Sequence, residues 1–548
     1  MSKREPTVLT VTGILDSYAK EKSQLKENQP VKNLQLHFTT YCAASSIHGV
    51  RYIGERGRHI FERALWAVIV TALFTCCLVM IRQAYAKWEI SPVTVTFATT
   101  ETPIHTIPFP AVTFCPEAKF DPEKFNFTKT YLRQQFGSRL TKLELTYVQF
   151  SYLVCSSATQ NHDLFEVRDL NDTIPVDICE SLLDVTPEFD PLSVTYLNWI
   201  GHSLESGSAL IPTFTAEGLC YTFNMLPYEE ILRFNDPLKN SSQSANKPHK
   251  WSLEDGYPQE DALDAFPRRT FISGIEGGLR INSIYTNSSH LDHLCTESLQ
   301  GFKVSLHHPC ELPSMNKYFR LPLDQAVFVG IKPSMITVSP ELRDYPAETR
   351  KCYFAQEKYL ASYKVYTQQN CLDECLANHT WKHCDCIPFY LAVYGDDTKI
   401  CGPAKFRCVQ RCKTRFAGVG NSTSAKRPCN CWPACTSLTY DVEISQTDWS
   451  WSEEFGVWRQ LNDRQLNITP HNTHLSMLSV YYKELQFLNC ERKELYGTVE
   501  FFSNTGGLLG LFIGFSIVSA AELVYFLTVR IICNIIMYGT RTWAGHQG

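Results

Sequence analysis

The sequence lacks the motifs by which the common hydrolases and nucleotide-binding enzymes are recognised. It contains no H-E-x-x-H, G-x-S-x-G or P-loop pattern. Basic residues are also in deficit, since 51 Lys and Arg stand against 56 Asp and Glu, for a net charge of −5. This balance provides no basic surface for nucleic acid. We therefore expect neither an enzyme nor a cofactor, metal or nucleic-acid partner.

Long hydrophobic runs are few. The first forty residues are polar and lack the apolar segment of a signal peptide, so no cleaved leader is expected. Residues 64–81 hold eighteen uncharged residues and would form about 27 Å of helix, just enough to span a bilayer. Residues 506–529 contain a single ionisable side chain, Glu522. These two runs predict two membrane spans, with lipid as a partner.

Charges and sequons predict the orientation of the spans. Arg51, Arg56, Arg58 and Arg63 crowd the N-terminal side of the first run, and such clusters mark the cytoplasmic face. The glycosylation sequons all lie between the runs and begin at Asn126, Asn171, Asn240, Asn287, Asn378, Asn421 and Asn467. We expect a plasma-membrane protein with a cytoplasmic segment (1–63), a first span (64–84), an extracellular domain (85–504), a second span (505–529) and a cytoplasmic tail (530–548).

The second run is rich in glycine and carries a carboxylate. Gly506, Gly510 and Gly514 recur at every fourth residue, a spacing by which membrane helices pack closely. Glycine also lets a helix unwind, and an ionisable group such as Glu522 within a bilayer usually faces a bundle interior or an aqueous path. The run is therefore interpreted as a pore-lining helix, with helix packing as the alternative.

Cysteine is abundant between the spans. Of the 22 cysteines, eighteen lie there, which indicates an oxidising compartment and disulfide bonds. Zinc ligation by the C-x-C and C-x3-C spacings is the competing interpretation. The spacing between residues 371 and 435 is nearly palindromic, so we favour a ladder of nested bridges between two antiparallel helical legs.

The region between the spans has mixed α and β patterns. Short strands are predicted at residues 93–97, 109–114, 302–306, 326–331 and 335–338, and a helix at 131–145. Residues 238–256 are polar and rich in turn formers, which indicates an exposed loop.

Several motifs occur in the order typical of one channel family. They are His48-Gly49, PFPAVTFCP at 108–116, GLCYTFN at 218–224, CLDECLANHTWKHCDCIP at 371–388 and GGLLGLFIGFS at 506–516. With them, the sequence resembles the degenerin, epithelial sodium channel and acid-sensing channel family, most of all its insect pickpocket branch. The resemblance implies a homo- or heterotrimeric, voltage-independent, amiloride-sensitive sodium channel with a sensory role. It also implies a hand-like ectodomain with palm, finger and a disulfide-braced thumb at about 352–435.

The resemblance assigns roles to individual residues. Gly514, Phe515 and Ser516 match the selectivity filter. Apart from the resemblance, Glu522 lies about two helical turns further on, where a ring of three carboxylates would raise the local cation concentration. His48 and Gly49 match a re-entrant gating motif, and Ser503 the position where bulky residues hold degenerins open. The implied bridges are Cys115 with Cys220, Cys352 with Cys435, Cys371 with Cys431, and Cys375 with Cys429.

Two further bridges should come from five cysteines, and their pairing stays open: Cys384, Cys386, Cys401, Cys408 and Cys412. Proximity alone suggests Cys155 with Cys179 and Cys295 with Cys310, and leaves Cys490 unpaired.

The sequence departs from the family pattern at three positions. Phe515 stands where the filter residue is usually small, so we expect it to face a neighbouring helix. Thr349 and Tyr525 replace a tryptophan and an aspartate of the acid-sensing members, which argues against proton gating by the same linkage.

A different two-span trimeric channel of the ATP-gated type and a disulfide-rich surface receptor or adhesion protein are the alternative functions. For Glu522, a structural salt bridge with Arg530 or an N-terminal arginine is the alternative role.

Overall fold

A computed structural model describes residues 29–55, 57–90, 93–155, 170–175, 178–189, 195–234, 251–258, 265–296, 298–392, 398–416, 429–462, 472–495, 497–540 and 543–544. The chain forms two compact units, Met1–Thr94 with Glu494–Gly548, and Val95–Lys493. We call them the span unit and the inserted unit.

The described residues contain these α-helices in chain order: α1 (Gln29–Ala44), α2 (Val50–Gly54), α3 (Ile60–Ile90), α4 (Phe127–Gln135), α5 (Lys142–Val154), α6 (Ile178–Val185), α7 (Ser206–Ala209), α8 (Tyr228–Ile231), α9 (Ala347–Arg350), α10 (Gln368–Cys384), α11 (Phe406–Phe416), α12 (Trp451–Asn462), α13 (Thr498–Ile513), α14 (Ile517–Leu527) and α15 (Val529–Tyr538). Short 3-10 turns lie at Ile104–Thr106, Ile275–Gly277, Ser288–His290, Pro340–Leu342 and Pro403–Lys405.

The strands in the same residues are β1 (Val93–Phe97), β2 (Thr102–Pro103), β3 (Ala111–Pro116), β4 (Thr173–Ile174), β5 (Leu197–Trp199), β6 (His202–Leu204), β7 (Leu210–Thr215), β8 (Gly218–Phe223), β9 (Leu279–Asn287), β10 (Phe302–His307), β11 (Phe319–Leu321), β12 (Gln325–Val338), β13 (Ile400–Cys401), β14 (Ser437–Asp448), β15 (Thr473–Tyr482), β16 (Gln486–Phe487) and β17 (Cys490–Glu494).

Two helical segments of the span unit are long and apolar enough to cross a membrane, Ile60–Glu89 and Ile517–Tyr538. The first agrees with the predicted span and extends it at both ends. The second run differs from a continuous helix, because the chain breaks between α13 and α14 and continues helical to Tyr538. Two candidate membrane spans thus flank a large inserted domain.

The long strand β12 organises the larger sheet of the inserted unit. The sheet runs β1-β17-β12-β15-β9-β5-β6, and β14 pairs with the other edge of β12. The two strands predicted at 326–331 and 335–338 are one strand, which corrects the sequence interpretation. Pro333 lies between the part of β12 paired with β15 and the part paired with β17. No strand pairs with it on that edge, so the N–H that proline lacks costs the sheet no hydrogen bond there.

The second sheet is antiparallel, in the order β11-β10-β3-β8-β7. Apolar side chains of both sheets form one core, represented by Val112, Phe223 and Val304 from this sheet and by Val329 and Leu478 from the larger one. The inserted unit is therefore a β-rich domain, with helices placed around two sheets.

The helix predicted at 131–145 is in fact two helices. Gly137 has a φ of +83° after the end of α4, a conformation that favours glycine. Thr141 then begins α5 with a reciprocal capping box, in which its side chain accepts from the Glu144 backbone and the Glu144 carboxylate accepts from the Thr141 N–H. Glycine and cap together override the helical pattern of the window.

Seven disulfides lie among the described residues, all in the inserted unit. They join Cys115 to Cys220, Cys155 to Cys295, Cys352 to Cys435, Cys371 to Cys431, Cys375 to Cys429, Cys384 to Cys408, and Cys386 to Cys401. The four pairs that the resemblance implied are among them. Of the five cysteines whose pairing was open, four form the last two bridges and Cys412 remains unpaired.

Two disulfide expectations are wrong. Cys155 pairs with Cys295, 140 residues away, and not with Cys179, while Cys310 is a buried free thiol. Folding brings the C-terminal end of α5 to the segment after β9, which proximity along the chain does not reveal. The ladder also differs from two helical legs, because Cys431 and Cys429, the partners of Cys371 and Cys375 on α10, lie in an irregular segment.

Four sequon asparagines are described. Asn171 and Asn378 are exposed, whereas Asn126 and Asn287 are half-buried and accept backbone hydrogen bonds as helix caps. Asn240, Asn421 and Asn467 lie outside the described residues, as does most of the loop predicted at 238–256.

Two carboxyl groups near the start of α10 have raised pKa values. Burial raises the pKa of Glu311 to about 7, against a hydrogen bond from Thr367. Burial also raises the pKa of Asp373 to about 7, with a hydrogen bond from Gln369 opposing and the charge of Glu311 adding to the shift. Because the folded pKa exceeds the unfolded one, each group stabilises the fold below its unfolded pKa, and that stability is lost as pH rises toward 7.

We predict that Asp373→Asn changes the pH dependence of stability. The unfolding free energy of the variant minus that of the wild type should rise by up to about 1.4 kcal/mol per pH unit from about pH 5 to about pH 7, then level off. Urea unfolding of the purified protein measures this difference. The opposite pH dependence of stability that comes from His307 and His308 is the same in both proteins and cancels. The exposed Asp344→Asn is the control, and parallel pH profiles for all three proteins would refute the assignment.

Candidate functional site

The break at residues 514–516 divides the second run into two helices. Gly514 ends α13 with φ +63° and ψ +24°, in the left-handed region that favours glycine. Ser516 begins α14, where its hydroxyl accepts from the Ser519 N–H and the Ser519 hydroxyl accepts from the Ser516 N–H. The glycine therefore stops one helix, the serine starts the next, and Phe515 connects them.

The segment containing His48 contacts this break. The His48 backbone N–H donates to the carbonyl of Ile513 at 3.0 Å, and so satisfies an acceptor that the end of α13 leaves without an intrahelical donor. A Cβ on Gly514 would lie 2.6 Å from the His48 Nδ1 atom. Gly514 is thus required twice, by its backbone angle and by the imidazole packed against it.

Gly49 lets the same segment approach the first span. Its φ is +84°, and a Cβ there would lie 2.7 Å from the Val70 Cγ2 atom on α3. Gly54 has a similar role, since a Cβ there would collide with the Cys42 Cβ atom on α1. The two glycines allow α1, α2 and α3 to pack closely around the break.

Glu522 is held by a serine and not by a cation. The Ser46 N–H and hydroxyl donate to Glu522 Oε2 at 3.1 and 2.9 Å, and the Ser46 and Ser519 hydroxyls are 2.7 Å apart. In the described part of the chain, the Glu522 carboxylate is bonded to Ser46, and the Arg530 guanidinium lies over the Phe526 ring instead. The structure therefore gives no support to the salt-bridge alternative.

The first helix docks beside the same segment. His37 Nε2 lies 3.0 Å from the carbonyl oxygen of Phe526, and the Tyr41 ring contacts the Phe526 ring edge-on at 5.4 Å. These contacts hold α1 against the end of α14. The N-terminal segment therefore contacts the chain on both sides of the break, at Ile513 before it and at Phe526 after it.

Farther from the break, α13 packs on α3 through aromatic rings. Phe501 stacks on Trp88 at 5.3 Å and contacts Tyr85 at 6.3 Å. Ser503 lies two residues on and is exposed. A Cβ on Gly506, Gly507 or Gly510 would meet no described atom within 4 Å, so packing within this chain does not explain those glycines.

The structure thus brings together His48, Gly49, Gly514, Ser516 and Glu522, whereas Ser503 lies apart from them. Sequence reasoning missed Ser46, Ser519 and His37. The Ser516–Ser519 spacing is that of a helix N-cap and gave a usable signal. Ser46 and His37 gave none, because their partners lie more than 470 residues away in the chain.

The sequence also matches a known protein family. A profile described as amiloride-sensitive sodium channel matches residues 41–526. The chain belongs to this family. It is 28% identical over 506 residues to Pickpocket protein 28 of Drosophila melanogaster, which covers 90% of this chain and 78% of that protein. It is 22% identical over 526 residues to the sodium channel protein Nach of the same species, with 93% and 90% covered.

A partial match connects the chain to an acid-sensing channel. It is 23% identical over 224 residues to acid-sensing ion channel 4-B of Danio rerio, covering 41% of this chain and 37% of that protein. The resemblance to this family and its pickpocket branch is confirmed. Membership makes the chain a sodium channel subunit and weighs against the ATP-gated and adhesion alternatives.

We predict that Ser46→Cys and Ser519→Cys together form a disulfide on mild oxidation. Their hydroxyls are 2.7 Å apart, which places sulfur atoms within bonding reach after small rotations. Peptide mass mapping of the full-length protein in detergent identifies the cross-link among the native thiols.

The matched control pairs Ser45→Cys with Ser519→Cys, because the Ser45 hydroxyl accepts from the Ile47 N–H instead. Equal cross-linking of both pairs, or of neither, would contradict the docking of this segment.

Proposed function

We propose that the chain forms the pore of a sodium-selective channel at the break between α13 and α14. The observation that carries this is an irregular segment inside an apolar span, with Ser516 exposed in the single chain. Irregular backbone at membrane depth is tolerated only where it is buried in protein or lines water. Other copies of the chain around a shared axis would meet that requirement.

The exposed glycine face favours a multi-subunit pore. A Cβ on Gly506, Gly507 or Gly510 would meet no described atom within 4 Å, so close approach to a second copy would account for their small size. We infer a trimer of this chain, alone or with related subunits. Three copies would place carbonyl and hydroxyl oxygens of residues 514–516 in a ring that replaces part of the hydration shell of sodium.

The carboxylate of Glu522 would add negative charge on the far side of the ring. Its hydrogen bonds to Ser46 fix its position, and a ring of such carboxylates would raise the local cation concentration. Phe515 is half-buried and would pack against a helix of the neighbouring copy rather than fill the pore.

In this proposal the channel lies in the plasma membrane with both termini in the cytoplasm. The inserted unit would be extracellular, glycosylated at its sequons and responsive to an external stimulus. The disulfide-braced helices α10 and α11 would act as its thumb. Movement would pass to the spans through the two chain connections, at residues 94–95 and 493–494.

We predict that Ser503→Val produces a standing inward sodium current in oocytes, because a larger side chain at this exposed position would hinder closure. Voltage clamp with sodium replaced by a large organic cation measures it, and amiloride should reduce it. Ser203→Val, the same change at an exposed site on β6, should leave the current at the wild-type level. Surface expression without current, alone and with related subunits, would refute the proposal.

In the Ser503→Val background, Ser516→Thr should change the sodium-to-potassium permeability ratio by about twofold or more. Threonine keeps the hydroxyl and the helix cap but adds a methyl group to the ring. Reversal potentials in mixed solutions measure the ratio. An unchanged ratio would leave Ser516 a helix cap and remove it from the filter.

A further inference from the structure

One thiol in the inserted unit is left over beside two histidines. Cys412 on α11 is buried and unpaired, although the neighbouring cysteines of the described ladder are all in disulfides. The ligand atoms of Cys412, His379 and His383 lie within 4.8 Å of one another. The sequence favoured disulfides over zinc for the cysteine-rich region as a whole. This cluster contains the cysteine that stays unpaired once the disulfides have formed.

The helices bring the three side chains together. His379 and His383 are four residues apart on α10, so they lie on one face, with ring centroids 4.2 Å apart. The Cys384–Cys408 bridge clamps α10 to α11 next to them, which fixes Cys412 opposite the histidines. The cluster therefore belongs to a rigid part of the fold.

Hydrogen bonding leaves both imidazoles able to bind a metal. His383 Nδ1 lies 2.8 Å from the His379 carbonyl oxygen, and donation to that oxygen leaves Nε2 with a free lone pair. Metal-binding histidines commonly donate their second nitrogen in this way. His379 Nε2 is buried without a hydrogen-bond partner among the described residues, a costly arrangement that a metal would relieve.

We propose that His379, His383 and Cys412 bind a zinc ion between α10 and α11. Imidazole nitrogen and thiolate sulfur suit Zn²⁺ and exclude Ca²⁺ and Mg²⁺, which require oxygen ligands. Tetrahedral zinc needs ligand atoms about 3.3–3.6 Å apart, so side-chain rotations that move the ligand atoms by about an ångström complete the site. On binding, the thiol gives its proton to solvent, and water takes the fourth position beside exposed His383.

Nearby positive charges lower the affinity of the site for a cation. Lys382 and Arg415 interact electrostatically with His379 and weaken the binding of a cation. A chelator should therefore remove zinc from the site. Bound zinc adds a second clamp between α10 and α11, and thereby restricts the helices that carry the disulfide ladder.

The test measures metal binding by the full-length protein in detergent, without reductant and after treatment with chelator. Wild type should bind one zinc per chain at this site, and Co²⁺ in its place should give a thiolate charge-transfer band. His379→Ala, His383→Ala and Cys412→Ser should each weaken zinc binding roughly tenfold or more, and Cys412→Ser should abolish the band. His383 is exposed, so its variant keeps the packing intact and is decisive.

His293→Ala and Cys490→Ser, a second exposed histidine and a second free cysteine, serve as controls and should bind zinc as the wild type does. Absence of the cobalt band in wild type, or equal losses in the controls, would overturn the proposal. So would peptide mapping that finds Cys384 bonded to Cys412, since their sulfurs are 3.8 Å apart and exchange would consume the thiol. These measurements need no current, so they stand apart from the proposed pore.

Discussion

The contact between His48 and Gly514 is the constraint on which the span unit depends. Gly514 adopts a left-handed conformation that stops α13, and the His48 backbone satisfies the carbonyl left open at that helix end. A side chain on Gly514 would collide with the imidazole. The break in the span and the docking of the N-terminal segment are therefore one structural feature, because neither is satisfied without the other.

The same segment also sets the position of the carboxylate. Ser46 holds Glu522 and contacts Ser519, whose hydroxyl caps the helix that begins at Ser516. A chain of short polar contacts thus runs from the N-terminal segment through the helix start to the acidic group. In an apolar span, polar groups arranged in this way satisfy one another's hydrogen bonds without a counter-ion.

The inserted unit is stabilised differently, by a core between two sheets and by disulfides. The bridges around α10 join it to an irregular strand-like segment on one side and to α11 on the other. Each bridge closes a loop of tens of residues and restricts the unfolded chain, a contribution of about 2–4 kcal/mol. The paired helices consequently form a rigid element, and the thiol left between them is held where two histidines reach it.

The sequence by itself predicted the two spans, the family and a few of the strands, among them β1, β3 and β10, because these follow from runs of apolar residues, local periodicity and short motifs. The glycines of the second run also indicated that its helix could unwind, although the break at residues 514–516 was not predicted. Only the tertiary structure decided that Cys155 pairs with Cys295, that β12 is one strand, and that Ser46 holds Glu522. Those features depend on residues brought together from distant parts of the chain, and no local pattern encodes which distant partner folding will supply.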